Sequence, residues 1–482
     1  MYLGIDIGTS GVKAILVDDD QNIVDQSTAP LTVNRPKPLW SEQNPHDWWE
    51  ATSTAVKSLD QFKRSGVKAI GLSGQMHGAT CLSDKDKVLR PAILWNDGRS
   101  GAECQTIMTD LPSLPDIAGN LAMPGFTAPK LMWMRRNEPE IFSKIEKVLL
   151  PKDYVRLKMT GDYASDMSDS AGTLWMNVQD RAWSDDILAL TELTRAQMPE
   201  LFEGNQVTGN LRSEIATDWG VPKVPVCAGG GDNAAGAVGS GTVAHGDGFI
   251  SLGTSGVIFL ADNQYRPNAQ SAVHTFCHAL PGLWHQMSVM LSAASAIDFV
   301  AKLTGYAQPG DLYASAKDHN QPSDGVYFLP YLSGERTPHN NPDAKGALFG
   351  LTHETTQNTL AQAALEGVAF ALADGLDALK GTGANIPELS VIGGGARSRY
   401  WGKILASTFG IPLYYRDGAA VGPAFGAARL ARLSITNEEI ADVCTPPKIE
   451  FTIKPDAKLQ DRFAKRRPIF KSLYHNTKEL MS

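Results

Sequence analysis

One five-residue string occurs twice in this chain. Gly8-Thr9-Ser10-Gly11-Val12 returns unchanged as Gly253-Thr254-Ser255-Gly256-Val257, roughly half of the 482 residues further on. Each copy follows an apolar run, Tyr2-Leu3-Gly4-Ile5-Asp6-Ile7 or Gly248-Phe249-Ile250-Ser251-Leu252. Each leads into another, Ala14-Ile15-Leu16-Val17 or Ile258-Phe259-Leu260-Ala261. Apolar run, small-residue turn, apolar run is the pattern of a β-hairpin. Two glycines let the backbone bend tightly, and the turn then presents N–H groups and two hydroxyls, a surface suited to a phosphate. One copy alone could be simple turn chemistry, since short motifs match by chance. Two copies at half-chain spacing agree with a duplicated architecture, two similar lobes holding a phosphate chain between them.

The rest of the chain alternates strands and helices, the pattern of an α/β fold. Residues 2–33 read as three strands. Asn44-Pro45 starts a helix to about Arg64, with the proline at the first helical position. A strand over 67–72 ends in Ser73-Gly74-Gln75-Met76-His77-Gly78. Residues 150–220 are irregular and rich in Asp, Ser and Trp. Pro225-Val226-Cys227-Ala228 is a short buried strand opening into Gly229-Gly230-Gly231-Asp232-Asn233, followed by a small-residue helix from Ala234. In the second half we expect a hairpin at 248–261 and helices at about 292–304 and 355–380, the latter capped by Thr355 or Thr356. A strand at 389–392 ends in Gly393-Gly394-Gly395-Ala396, before a helix from about Ser398. The last helix, about 456–480, carries Lys465-Arg466-Arg467, which reads as a solvated face rather than a nucleic-acid site. The division into two domains falls near Gly239-Ser240-Gly241, giving 1–240 and 241–482.

A net charge of −8 argues against a general nucleic-acid or membrane surface, so an anionic substrate must be held locally. The first residues enter structure at once, with no basic-then-apolar leader, and no apolar stretch is long enough to span a bilayer. Cys81, Cys104, Cys227, Cys277 and Cys444 are odd in number and lack a Cys-x-x-Cys pair. Reduced thiols in a cytoplasmic protein are expected.

Ordinary nucleotide motifs are missing: no Gly-x-x-x-x-Gly-Lys-Ser/Thr, no Gly-x-Gly-x-x-Gly after a strand, no His-Arg-Asp. What remains is a set of strand ends closed by glycines, which in α/β folds line the ligand crevice. Asp6 lies just before the first turn. A bare carboxylate 4 Å from a phosphate costs about 4 kcal/mol at an effective dielectric of 20, and a cation between them reverses the sign. If the turn holds phosphate, Asp6 therefore implies Mg2+, held through its water shell; otherwise Asp6 bonds turn N–H groups. Lys13 either reaches a terminal phosphate or is a plain strand-surface lysine. Asp232, behind three glycines, could accept the proton of an attacking hydroxyl, or cap the helix that follows, or both. Gln75, Met76, His77, Trp95, Asn96, Asp97 and Arg99 form a polar and aromatic set at two strand ends, suited to a polyhydroxylated ligand. His77 alone would more often be structural. His274, Cys277, His278 and His285 only superficially suggest zinc, since a matching Cys or His pair is lacking.

Together these strings resemble the FGGY sugar-kinase family over nearly the whole chain. Gly125-Phe126-Thr127-Ala128-Pro129-Lys130-Leu131-Met132-Trp133 resembles the family's first signature, and Gly346-Ala347-Leu348-Phe349-Gly350-Leu351 through Leu365-Glu366 its second. Thr359 departs from the second, at a position that looks like surface helix. Gln75-Met76-His77-Gly78, Leu94-Trp95-Asn96-Asp97-Gly98-Arg99, Gly229 to Asn233 and Leu332-Ser333-Gly334-Glu335-Arg336-Thr337-Pro338-His339 are most similar to the bacterial members that act on D-xylulose. Glycerol-specific members carry Arg-Glu where this chain has Met76-His77. The resemblance implies two ribonuclease-H-like (actin-like ATPase) domains around a deep cleft. It implies transfer of the ATP γ-phosphoryl group to O5 of D-xylulose with Mg2+, within D-xylose catabolism. It implies Asp232 as catalytic base and Asp6 as the metal-positioning acid. It implies sugar contacts at Met76 and His77, phosphate contacts at Thr9, Ser10, Lys13 and Thr254, and part of the adenosine floor at Gly394 and Gly395. Beside these we expect substrate contacts at Gln75, Trp95, Asn96, Asp97, Arg99, Asp232 and Asn233, and nucleotide contacts at Gly253 and Ser398.

Two rivals stand beside that reading: the same chemistry on another ketose or sugar acid, and a nucleotide-driven switch or filament protein on the same type of fold. The set at 75–77 and 95–99 argues against the second, which would not need it. A C-terminal helix on the outside leaves a homodimer open.

Overall fold

The computed structural model describes residues 1–319, 322–323, 325–417 and 422–481. Both repeated strings turn a hairpin. In the first half β1 (Tyr2–Ile7) and β2 (Gly11–Val17) pair antiparallel, and β3 (Ile23–Pro30) continues the meander. Next to β1, in parallel, runs β4 (Ala69–Gly74); beyond it lie antiparallel β5 (Val207–Asn210) and β6 (Pro225–Cys227), of which β6 is parallel to β4. The short β7 (Gly230–Gly231) pairs with the end of β4.

The second half repeats this order. β8 (Gly248–Leu252), β9 (Gly256–Asp262) and β11 (Trp284–Met290) form the antiparallel meander, with β10 (His274–Cys277) beyond β11. On the other side of β8 come parallel β12 (Leu389–Ile392) and β13 (Leu413–Arg416), then antiparallel β14 (Ile449–Ile453). An antiparallel meander extended by two parallel strands, twice over, is the expected pair of ribonuclease-H-like domains. The two identical strings do not pair identically. Ile7 faces Val12 across the first turn, whereas Leu252 faces Gly256 across the second, so the second loop is one residue shorter.

Helix ends follow local chemistry. α1 (Pro45–Lys57) starts with Asn44 accepting from His46 N–H at 3.1 Å. It stops at Ser58 and does not run to Arg64; Asp60 accepts from Lys63 N–H at 2.9 Å and starts a separate turn over Gln61–Arg64. α2 (Thr127–Asn137) and α3 (Pro151–Thr160) follow, and α4 begins at Asp232, two residues earlier than the composition suggests, and runs to Ser240. In the second half α5 (Ala294–Leu303), α6 (Gln357–Lys380) and α7 (Arg399–Phe409) fall near their expected places, with Thr356 and Ser398 as caps. Then come α8 (Pro423–Ile435) and α9 (Ala457–Thr477).

α8 crosses to the other half and lies on the β1–β4 sheet. A Cβ on Gly4 would collide with the Ala424 carbonyl and one on Gly71 with the Ala427 carbonyl, so both strands need glycine for the helix to sit flush. Side chains alternate faces along a strand, which puts Asp6 and Ser73 on the same face as these glycines, one pleat further on. α4 and α8, each following the second parallel strand of its half, pack on each other. The Arg466 and Arg467 patch on α9 is not a solvated face. Arg466 Nε meets Glu366 at 3.1 Å, Arg467 Nη2 meets Asp374 and Asp377 at 2.7 Å, and only Lys465 of the three is exposed. The patch faces acidic residues on α6, information no local window contains. Among the described residues no helix is long and apolar enough to cross a membrane.

Candidate active site

The first turn is tied down from behind. Gly8 N–H donates to Gly11 O at 3.0 Å; the Ser10 carbonyl accepts from Leu31 N–H at 2.9 Å, and the Thr9 carbonyl accepts from the Gln43 amide at 2.8 Å. With those carbonyls occupied, repulsion toward an anion is reduced. Behind Thr9 runs a chain of side chains. Trp95 Nε1 donates to Thr9 Oγ1 at 3.0 Å, Thr9 Oγ1 donates to Gln75 Oε1 at 3.0 Å, Gln75 Nε2 donates to Gln43 Oε1 at 2.8 Å, and Trp48 Nε1 donates to the same oxygen at 2.9 Å. The second turn is held in the same spirit: Gly253 O accepts from Ala294 N–H at 3.0 Å, and Thr254 O from Ala293 N–H at 2.9 Å and Ser295 Oγ at 2.8 Å. Ser10 and Thr254 remain exposed.

Asp6 follows from register: it stands directly across from Lys13 on β2 and Ser73 on β4. Burial pushes its carboxyl up to about 6, opposed by the Ser73 hydroxyl and by the Lys13 charge. Its Oδ1 is buried without a hydrogen-bond partner. Gly394 and Gly395 lie in a short turn beyond β12, and Gly393 and Gly395 pack over Leu252, the residue before the second turn. Ser398 spends its hydroxyl on Trp401 N–H at 3.3 Å.

A cavity of about 800 Å³ opens between the halves. Met76, His77, Trp95, Asn96, Asp97, Asp232 and Asn233 line it from the first half, and Ser255, Val257, Phe276, Val289, Glu335 and Arg336 from the second. Gln75 and Arg99 do not line it. Gln75 instead braces the turn through Thr9. The Arg99 side chain is 1% exposed, held by Asp97 at 2.7 Å and Glu42 at 2.8 Å and stacked on Trp40 at 3.5 Å. Asp97 also accepts from Ser41 N–H at 2.6 Å, so most of its acceptor capacity is used internally. His77 sits at φ 69°, in the left-handed region. Its Nδ1 donates to Gly172 O at 2.6 Å, which leaves Nε2 as an acceptor. The ring packs edge-on to Phe126, and its carbonyl receives the buried Lys130 Nζ at 2.8 Å. Burial, with the Lys130 charge, drops the His77 pKa to about 3, so the ring is neutral.

Asp232 opens α4, but the helix cap is Gly231 and no side-chain cap bond forms. Its Oδ1 accepts from Asn233 N–H at 2.7 Å and Asn233 Nδ2 at 3.0 Å. Burial first, and the nearby Asp6 charge second, push its carboxyl up to about 7. Gly229, at φ 74°, turns the chain so tightly that a Cβ would overlap the Leu72 carbonyl. Gly231 N–H donates to Ser168 Oγ at 3.1 Å, Ser168 Oγ to Asp166 at 2.5 Å, and Asp166 pairs with the fully buried Lys152 at 2.7 Å. Among the described residues no three His, Cys, Asp or Glu side chains converge as a metal site. An orphaned Asp6 oxygen beside a second carboxylate does fit a Mg2+ ion bound chiefly by water and nucleotide phosphates, the usual habit of that ion.

Residues 1–239 match the FGGY family of carbohydrate kinases, N-terminal domain, and residues 248–435 match its C-terminal domain. The chain belongs to the FGGY family of carbohydrate kinases. It is 54% identical to a protein named xylulose kinase from Escherichia coli (strain K12) and 52% identical to one of that name from Klebsiella pneumoniae, covering 100% of each chain in both cases. Among solved structures, that of a "xyloylose kinase" from Brucella ovis superposes with a TM-score of 0.97 at 49% identity, over 99% of both chains.

Several residues of this FGGY kinase's site escape sequence reasoning. Gln43 lies in no motif and reaches Thr9 only through the fold. The Lys152, Asp153, Asp166 and Asp169 cluster falls in the stretch that reads as irregular. Lys130 stands inside the first family signature, and a lysine amid apolar helix residues was the available signal. Glu335 and Arg336 stand in the 332–339 string, which by itself assigns them no role.

Proposed function

We propose that this kinase transfers the γ-phosphoryl group of ATP to O5 of D-xylulose, forming D-xylulose 5-phosphate. The carrying observation is the cavity that joins Asp232 to Met76, His77 and Asn96, with Asp6 beside Asp232 at the foot of the first turn. The names of the full-length relatives support the choice of sugar. Phosphoryl transfer needs positioning and charge neutralisation more than covalent chemistry. The exposed Ser10 and Thr254, with their hydroxyls and N–H groups, and the Thr9 N–H grip the phosphates, and Lys13 adds a positive charge. The Thr9 hydroxyl is spent on Gln75 and the Gly253 N–H on Ser255 O at 3.0 Å, so those two groups shape the turns. Gly394, Gly395 and Ser398 form the adenosine side. His77 accepts a sugar hydroxyl at Nε2, and Trp95 covers an apolar sugar face while holding Thr9. Asp232 orients the attacking hydroxyl and takes its proton; a pKa near 7 suits a general base at neutral pH. Asp6 would hold Mg2+, which would supply positive charge for the phosphates.

A coupled ADP-release assay over D-xylulose, D-ribulose, gluconate and glycerol tests the substrate. D-Xylulose is expected to give the highest kcat/KM, with the phosphate on O5 by NMR; a higher value for another member of the panel replaces the substrate. Asp232→Ala is expected to lower kcat by about 10²–10⁴, the usual worth of a general base. A loss under about tenfold with the fold intact removes Asp232 from that role.

A further inference from the structure

The loop at 333–339 is stitched to the end of β11. Thr337 N–H donates to Val289 O at 3.1 Å, and Val289 N–H returns to Thr337 Oγ1 at 3.0 Å. Glu335 Oε1 accepts from Leu291 N–H at 3.0 Å and from Arg336 N–H at 2.7 Å. These bonds fix Glu335 and Arg336 in the second-half wall of the cavity. Glu335 is only 2% exposed, yet its Oε2 has no hydrogen-bond partner among the described residues. Burial pushes its carboxyl up to about 7. The Arg336 guanidinium meets only His274 Nε2, at 3.1 Å, and no carboxylate within ion-pair distance among the described residues. His274 is itself set as an acceptor there, because its Nδ1 donates to Asn120 Oδ1 at 2.8 Å.

A buried carboxylate oxygen without a donor is costly unless something supplies the partner, and the half-buried Arg336 guanidinium beside it keeps N–H groups free for a ligand. Here the two stand next to each other in sequence, on the cavity wall contributed by the opposite half from Asp232. We propose that Glu335 and Arg336 bind the polyhydroxylated substrate from the second half, the carboxylate accepting a hydroxyl proton and the guanidinium donating to a carbonyl or hydroxyl oxygen. The substrate then bridges the two halves. This rests on the ketose-kinase reading of the cavity and adds a selectivity rule to it. A neutral polyol satisfies both groups, whereas a sugar acid placed there brings its carboxylate against Glu335.

The test uses the full-length enzyme, with KM for D-xylulose and for ATP measured separately and melting temperature recorded. Arg336→Met is expected to raise the ketose KM by roughly tenfold to a hundredfold, the range for losing a hydrogen bond from a charged group, with ATP KM changed less than about twofold. Glu335→Gln, close in shape, is expected to raise it by at least about fivefold and to raise kcat/KM for gluconate relative to D-xylulose. Should Arg336→Met not fold, Arg336→Lys carries the same expectation, since a point charge cannot reproduce the planar fork. Wild-type enzyme inert toward D-xylulose sinks the functional reading and this inference together. Active wild type with folded variants whose ketose KM stays within about twofold, or whose two KM values rise equally, overturns this inference alone.

Discussion

Asp6 and Asp232 are costly to the free protein. Burial holds their carboxyls near 6 and near 7 against an ordinary 3.8, and the Asp6 charge adds to the rise at Asp232. A carboxyl raised on folding takes up its proton in the folded state at a higher pH than in the unfolded one. Stability is therefore lost as pH climbs from about 4 to about 7, the reverse of a salt-bridged aspartate. Asp232→Asn removes the charge and should melt higher than the wild type at about pH 8 without nucleotide, the gap closing toward pH 4. Equal melting at pH 8 would contradict the burial account. Asp232 was legible as a candidate because three glycines precede it. That its side chain does not cap the helix was not legible, since the cap position depends on backbone angles one residue earlier.

Glycines separate into packing and ligand positions only at the level of elements. On α8, a Cβ at Gly426 would run into the Ala235 carbonyl on α4, and backbone cannot step aside as a side chain can. Gly426→Ala should cost about 2 kcal/mol or more, visible as a lower denaturant midpoint at unchanged slope. At Gly394 nothing lies within 4 Å of the place a Cβ would take, and its φ is not in the left-handed region. Gly394→Ala should leave stability within about 0.5 kcal/mol while raising the KM for ATP several-fold, if it floors the adenosine. An unchanged ATP KM would remove Gly394 from the nucleotide site. In the sequence both are simply glycine in a small-residue run. The repeated string teaches the same lesson: five identical residues make a longer loop in one hairpin and a shorter one in the other, because flanking strands set the register.

At the scale of the molecule, the cavity has one wall in each half, and α8 of the second half lies on the sheet of the first. A substrate touching both walls favours approach of the halves, which excludes water from the phosphate. With D-xylulose and a non-hydrolysable ATP analogue together, small-angle scattering should give a smaller radius of gyration than with either alone. ATP turnover without sugar should be a small fraction of the sugar-dependent rate. An unchanged radius, with sugar-independent turnover near the full rate, would point to a preassembled site.

The chain's own residues determined the duplicated α/β plan, the two phosphate-suited turns, and Asp6, Met76, His77 and Asp232 as candidates. Each of these is written in neighbouring residues: a string, a period, a strand end closed by glycine. Tertiary structure alone decided that Gln75 and Arg99 are spent on internal bonds behind the cavity, that the α9 arginines serve α6, and that Glu335 and Arg336 line the cavity between the halves. Those roles depend on partners far away in sequence, and whether a polar side chain is spent internally or left for a ligand is settled only when burial shows which of its bonds are already made.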